Sequence, residues 1–115
     1  MRVSYEGIGQ WAATFTCAQA AEGEVVKISG SGAVSPCGDG DGFCGMVVSV
    51  GRDGGACAVA LGGMVTAGYS GDSVPALGWT GLSADGSGGV KAAAGGRSYL
   101  VVDVDESGKT VTFVL

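Results

Sequence analysis

Residues 35–45, SPCGDGDGFCG, contain the residue types and spacing that could do chemistry. Two cysteines, Cys37 and Cys44, bracket two aspartates, Asp39 and Asp41, that are separated by glycine. Thiolates and carboxylates bind metals and act as nucleophiles, so the stretch could be a metal site, a disulfide loop or a redox centre. It could also be a tight turn that leads into a strand.

A calcium loop of the EF-hand type does not fit this spacing. With Asp39 at the first position, Cys44 falls where glycine is required and Val50 falls where glutamate is required. The string GDGDGF resembles one unit of the glycine/aspartate β-helix, but that calcium site needs stacked copies and the sequence has one. We therefore expect no metal at this stretch.

The cysteine spacing favours thiols that pack as small apolar side chains. The four cysteines are separated by 19, 6 and 12 residues, so no pair has the close spacing of a zinc knuckle or a Cys-x-x-Cys motif. Cys44 and Cys57 are in phase with apolar neighbours, as expected of buried cysteines. A disulfide between Cys37 and Cys44 is sterically conceivable, and four cysteines allow three complete pairings among which the sequence does not choose.

Other routes to catalysis have little support in the sequence. The chain has no histidine, which excludes Ser-His-Asp and Cys-His catalysis. Asp103 and Asp105 lie two residues apart near a strand end, as solvated turn residues commonly do, and Ser70 has no base to activate it. We expect no enzymatic activity and no cofactor.

Composition restricts the class of partner. The 115 residues suit one domain, and 24 of them are glycine, which is too many for long helices. The net charge is −5 and no basic cluster occurs, which argues against binding to nucleic acid or an anionic membrane. The first residues lack the apolar core of a signal peptide, so we expect synthesis in the cytoplasm.

The hydrophobic pattern predicts an all-β fold, a small single-domain barrel or sandwich of about eight short antiparallel strands. The clearest elements are two hairpins, one over 43–63 and one over 98–115, and the best helical candidate, residues 17–24, is short. We divide the chain into an extended N-terminal segment or arm, residues 1–23, and a β-domain, residues 24–115. No repeat of fixed period is apparent in the sequence.

Four aromatic residues are candidates for an interface: Trp11, Phe15, Tyr69 and Trp79. Trp11 and Phe15 precede the first confident strand, so they could fold back onto the barrel or belong to an arm that packs on a neighbour. Large aromatic residues carry much of the energy of subunit contacts. Tyr69 and Trp79 could form an exposed stacking surface.

Four stretches of the chain resemble the capsid cement, or head decoration, proteins of tailed phages, as encoded in prophages of Gram-positive gut bacteria. They are TFTCAQAAEGEVVKISGSGAVSPCGDGDGFCGMVVSV, AVALGGMVTAGYSG, LSADGSGGVK and RSYLVVDVDESGKTVTFVL, and together they cover most of residues 14–115. The most specific pieces are GDGDGFCGMVVSV and the last hairpin. These pieces are typical of a fold and contain no catalytic motif.

The resemblance implies a non-enzymatic protein on the outer surface of the virion. Its partner would be the major capsid protein, and the chain would form a homo-oligomer, with a trimer favoured over a dimer. It implies no cofactor, no nucleic acid and no membrane. The alternative from the residues alone is a small β-barrel module of a phage tail or adhesin that recognises a glycan or a protein.

Overall fold

The structure, a computed structural model, describes residues 10–17, 19–52 and 54–115, and these residues form ten β-strands and no helix. The strands are β1 (Trp11–Cys17), β2 (Val25–Gly30), β3 (Ala33–Pro36), β4 (Gly45–Val50), β5 (Ala56–Gly62), β6 (Met64–Gly68), β7 (Gly78–Ala84), β8 (Val90–Ala92), β9 (Arg97–Asp105) and β10 (Thr110–Val114).

The first five strands close into a barrel. Their order around the barrel is β1-β3-β2-β4-β5, and all neighbours are antiparallel except β1 and β3. Each strand turns alternate side chains inward, as the pleat requires. The barrel interior is made of small apolar residues, namely Cys17, Val26, Val34, Val47, Cys57 and Val59.

The last five strands form a second sheet in the order β6-β10-β9-β7-β8. A parallel bridge between Tyr69 and Val90, with a hydrogen bond of 3.0 Å from the Ser70 amide to the Val90 carbonyl oxygen, brings the two edges of this sheet together. Its concave side is lined by larger residues than the barrel interior, including Tyr69, Leu82, Val90, Tyr99, Val101, Val111 and Phe113.

The barrel and the second sheet have the same topology. In each half the second strand pairs with the third and the fourth, the fifth pairs with the fourth and the first, and the first meets the third in parallel. The barrel interior residues therefore have register equivalents 52 to 56 residues later, in the same order: Tyr69, Leu82, Val90, Val101, Val111 and Phe113. The two halves are therefore two copies of one structural repeat. The repeat is not visible in the sequence because equivalent residues differ in type and the loops differ in length.

Phe43 joins the two halves. It lies near the end of the loop between β3 and β4, and its ring stacks on Tyr99 at 5.0 Å and makes an edge contact with Phe113 at 5.9 Å. Such aromatic pairs contribute about 0.5–1.5 kcal/mol beyond the burial of their area. Around them the outer face of the barrel, with Met46 and Ala60, packs against the concave side of the second sheet in one core.

The predicted all-β fold, a small single-domain barrel or sandwich, is confirmed, and the first five strands form a closed barrel. Both predicted hairpins occur, as β4–β5 and β9–β10. The strand count is ten rather than about eight, and the expectation that all strands are antiparallel is wrong because β1 and β3 run parallel. Residues 11–17 fold back onto the barrel as β1, which settles that alternative for Trp11 and Phe15, while residues 1–9 of the predicted arm lie outside the described residues.

Replacing Phe43 by alanine is expected to lower the free energy of unfolding by about 3–5 kcal/mol, because it empties the centre of the core shared by both halves. Urea denaturation followed by circular dichroism measures the change. Val48→Ala is the matched control, since Val48 is 38% exposed on the neighbouring strand β4, and we expect a loss below about 1 kcal/mol there. Equal losses in the two variants would contradict the joining role of Phe43.

Candidate functional site

The glycine- and aspartate-rich loop, residues 37–44, is a structural connection between the two halves. The Gly40 amide donates to the Ala84 carbonyl oxygen at 2.8 Å, and the Ala84 amide donates to the Asp41 carbonyl oxygen at 2.8 Å. The loop thereby pairs with the end of β7. Gly40 has φ of 86°, a conformation that costs glycine little and other residues more. The turn delivers Phe43 to the second sheet.

Both aspartates of the loop are engaged by lysines. The Asp41 carboxylate accepts from Lys27 Nζ at 2.7 Å and from the Gly38 amide at 2.8 Å, and these hydrogen bonds lower the pKa of Asp41. Lys91 Nζ lies 2.7 Å from Asp39 Oδ1. Since Lys27 is on β2 and Lys91 is on β8, the two ion pairs tie the loop to both halves. Exposed pairs of this kind contribute about 0–1 kcal/mol each.

The four cysteines are free thiols, and three of them are buried. Burial raises the pKa of Cys37 to about 11, with a smaller contribution from the nearby Asp41 carboxylate. Burial, together with a hydrogen bond to Cys17, raises the pKa of Cys57 to about 11. Thiols with raised pKa are poor nucleophiles at neutral pH, which fits the predicted packing role. Among the described residues, no group of three or more Cys, Asp or Glu side chains comes together as a metal site would require.

A second candidate site is a row of apolar side chains on the outer face of the second sheet. Backbone pairing sets Trp79 beside Leu100, Leu100 beside Val114, and Val114 beside Met64. Residues directly opposite one another in a sheet turn their side chains to the same face. Trp79 is 75% exposed and the other three are partly exposed. We call these four residues the apolar row.

The residues near the two ends of the strands that carry the apolar row differ in polarity. The loop that precedes Trp79 in the chain also exposes two apolar side chains, Val74 at 45% and Leu77 at 67%. Further along the same face, the Thr66 and Thr112 hydroxyls are hydrogen-bonded to each other at 2.8 Å. The apolar surface is therefore concentrated at one end of the sheet, as at a protein docking site.

Of the four residues predicted as an interface, the structure exposes two. Trp79 lies in the apolar row, and Trp11 is 62% exposed with its indole resting on Gly62, where a Cβ would meet the ring unless the ring moved. Phe15 is partly buried against the barrel interior. Tyr69 is buried, so the prediction that Tyr69 and Trp79 share an exposed stacking surface is wrong.

The burial of Tyr69 follows from its place at the end of β6. There it bridges to Val90, and Lys109 Nζ lies 5.6 Å from the centre of its ring. Sequence reasoning missed Met64, Leu100 and Val114 as surface residues because each lies in a strand that also contributes to the core. A signal existed in their alternation with the buried residues Val65, Val101 and Phe113.

No protein-family model matches the chain, and no curated protein matches it. The described residues contain no helix of the length and apolarity needed to cross a membrane.

Stability is expected to fall between about pH 9 and pH 11. The unfolded thiols ionise near 9.0, whereas folded Cys37 and Cys57 stay protonated to about pH 11, so the unfolded state gains ionised forms first as pH rises. Urea denaturation at a series of pH values measures this. Because tyrosines and lysines also titrate in this range, Cys57→Ala is the comparison. A slope of stability against pH that Cys57→Ala leaves unchanged would show that this thiol does not contribute.

Proposed function

We propose that this chain is a non-enzymatic structural protein of a tailed phage that binds and stabilises the exterior of the capsid. The proposal rests on the likeness of its sequence to head decoration proteins and on one structural observation. Large apolar side chains, above all Trp11 and Trp79, are exposed on a compact β-structure whose two halves share one core. Exposed tryptophans are typical anchors of protein–protein contacts.

Trp11 is the residue we propose for the contact with the major capsid protein. It lies at the start of β1 on the barrel, where pairing with Gly62 fixes the backbone and the indole rests on that glycine. An aromatic ring held in one position loses little conformational entropy on binding. Under this proposal the chain is made in the bacterial cytoplasm and ends on the capsid surface of the virion as a homo-oligomer, without nucleic acid or membrane partners.

The alternative proposal is a binding module of a phage tail or adhesin that recognises a glycan. It is favoured by the exposure of Trp79, because an exposed indole offers a stacking surface. It is weakened by the burial of Tyr69, the other residue predicted for that surface. A glycan that quenches the fluorescence of Trp79 in a saturable way would favour this alternative.

Co-sedimentation with phage heads prepared without the protein tests the leading proposal. We expect saturable pelleting at a fixed ratio to the major capsid protein. Trp11→Ser is expected to weaken the binding at least tenfold, about 1.4 kcal/mol, through loss of an anchor. Val48→Ser, at a less exposed apolar position on the same barrel, is the control and should bind as the unmodified protein does.

Absence of pelleting on well-formed heads would overturn the capsid proposal and would move the glycan-binding alternative to first place. Pelleting that Trp11→Ser does not weaken would keep the capsid proposal and remove Trp11 as the contact. Thermal unfolding of each variant is measured first, so that a loss of binding is not a loss of folding.

A further inference from the structure

The apolar row has a register equivalent in the barrel. There the pairing runs Ala12 beside Ala60, Ala60 beside Met46, and Met46 beside Val25. These strands, β1-β5-β4-β2, correspond in the repeat to β6-β10-β9-β7. In this row Met64, Val114 and Leu100 occupy the places of Ala12, Ala60 and Met46. Trp79 pairs with Leu100 as Val25 pairs with Met46, although the match of Val26 with Leu82 puts Gly81 in the place of Val25, because β7 is shifted by two residues along β9.

In the barrel, most of the equivalent row is buried in the interface with the second sheet. Ala60, Met46 and Val25 are 0%, 6% and 1% exposed, and all three belong to the core shared with the second sheet. The barrel thus uses this row to pack against another five-stranded half. In the second sheet the equivalent row carries larger apolar residues, and Trp79 is 75% exposed. In the barrel three of the four row positions are covered and Ala12 is exposed, whereas in the second sheet Trp79 is exposed and Met64, Leu100 and Val114 are partly exposed.

A second chain cannot bind the apolar row in the way that the second sheet binds the barrel row. The surface that receives the barrel row is the concave side of the second sheet, and it is filled by the barrel of its own chain and by Phe43. The apolar row of one chain therefore has no vacant concave side on another chain to enter. The surface of a second copy that remains available for contact is its own apolar row.

We infer that a second copy of this chain covers the apolar row, with the two rows packed against each other in a two-fold dimer. A two-fold contact uses the same patch on both partners, so one self-complementary surface closes the assembly. Sheets that pack face to face are a standard arrangement of β-proteins. The resemblance to head decoration proteins favoured a trimer, whereas the geometry of this surface favours a dimer.

The area available suits such a dimer. The row together with Val74 and Leu77 offers on the order of 500 Å² of apolar surface, since one exposed tryptophan alone contributes up to about 200 Å². A dimer interface of standard size buries about 800 Å² on each partner, of which about two-thirds is apolar. The estimated patch therefore matches the apolar part of a standard dimer interface, and the polar residues beside it would supply the rim.

The charge of the chain adds a property that can be measured. Each copy carries a net charge of −5, so two copies repel each other at low ionic strength. Salt screens this repulsion and leaves the apolar contact in place. The dimer is therefore expected to become tighter as salt rises, which is opposite to the behaviour of a contact held by ion pairs.

Sedimentation equilibrium of the full-length chain tests the inference. We expect a species of twice the chain mass of 11.1 kDa that dissociates on dilution. Trp79→Glu is expected to weaken the dimer at least a hundredfold, because it replaces the most exposed apolar side chain of the row by a charge that the contact would bury. Ile28→Glu adds the same charge at a site on β2 that is 55% exposed and outside the row, and this control should stay dimeric.

Fluorescence gives a second readout on a protein with one tryptophan. Since the chain has two tryptophans, Trp11→Phe leaves Trp79 as the only indole. Its emission is expected to shift to longer wavelength on dilution, as the dimer separates and Trp79 meets water. Emission that is independent of concentration across the dissociation range would place Trp79 outside the contact.

A monomer at all concentrations, a trimer, or a dimer that survives Trp79→Glu would overturn the inference. So would dissociation caused by deleting residues 1–9 and not by Trp79→Glu, because that segment, and not the apolar row, would then hold the two copies together. The inference deepens the oligomer part of the proposed function. Its test uses purified protein without phage heads, so failure here leaves head binding and the Trp11 contact to be judged by co-sedimentation.

Discussion

The packing of Phe43 against Tyr99 and Phe113, which also contact each other, is the interaction on which the rest of the structure depends. The barrel interior is made of cysteine and valine and is small, while the second sheet is not fully closed and needs a cover. Phe43 comes from the first half and completes the core of the second. The glycine- and aspartate-rich loop, which looked like a possible metal or redox site, is the segment that brings it there.

The repeat explains how one architecture supplies both the core and a free surface. In the barrel, Val25, Met46 and Ala60 of this row are buried against the second half, whereas in the second sheet the row is partly exposed and includes the exposed Trp79. Small residues such as Ala60 let the two halves approach closely. Larger residues such as Trp79 and Leu100 suit a contact made with another molecule, for which the chain provides no cover among its described residues.

The sequence predicted the parts of the fold that depend on local alternation. Val111 and Phe113 alternate with threonines, so the last hairpin was predictable, as was the hairpin that contains Met46. The short strand β3 was not, because AVSP is brief and ends in proline. The all-β class and the barrel followed from glycine content and strand signals.

The candidate surface depends on pairing between strands that are distant in the chain, which composition does not reveal. Tyr69 and Trp79 have similar character and lie ten residues apart. One is covered by the bridge to Val90 and the other faces outward from β7. The repeat was hidden for a related reason, since Cys17 and Tyr69 occupy the same place in the two halves and share no chemistry that a sequence comparison would notice.

We expect the two halves to unfold as one cooperative unit joined through Phe43, and native-state hydrogen exchange measures whether they do. The amides of Val59 in the barrel and of Val111 in the second sheet lie in strands that are paired on both sides. Both are expected to exchange with the same free energy of opening, equal to the global free energy of unfolding. Exchange of one half through a separate opening of much lower free energy, while the other stays protected, would contradict it.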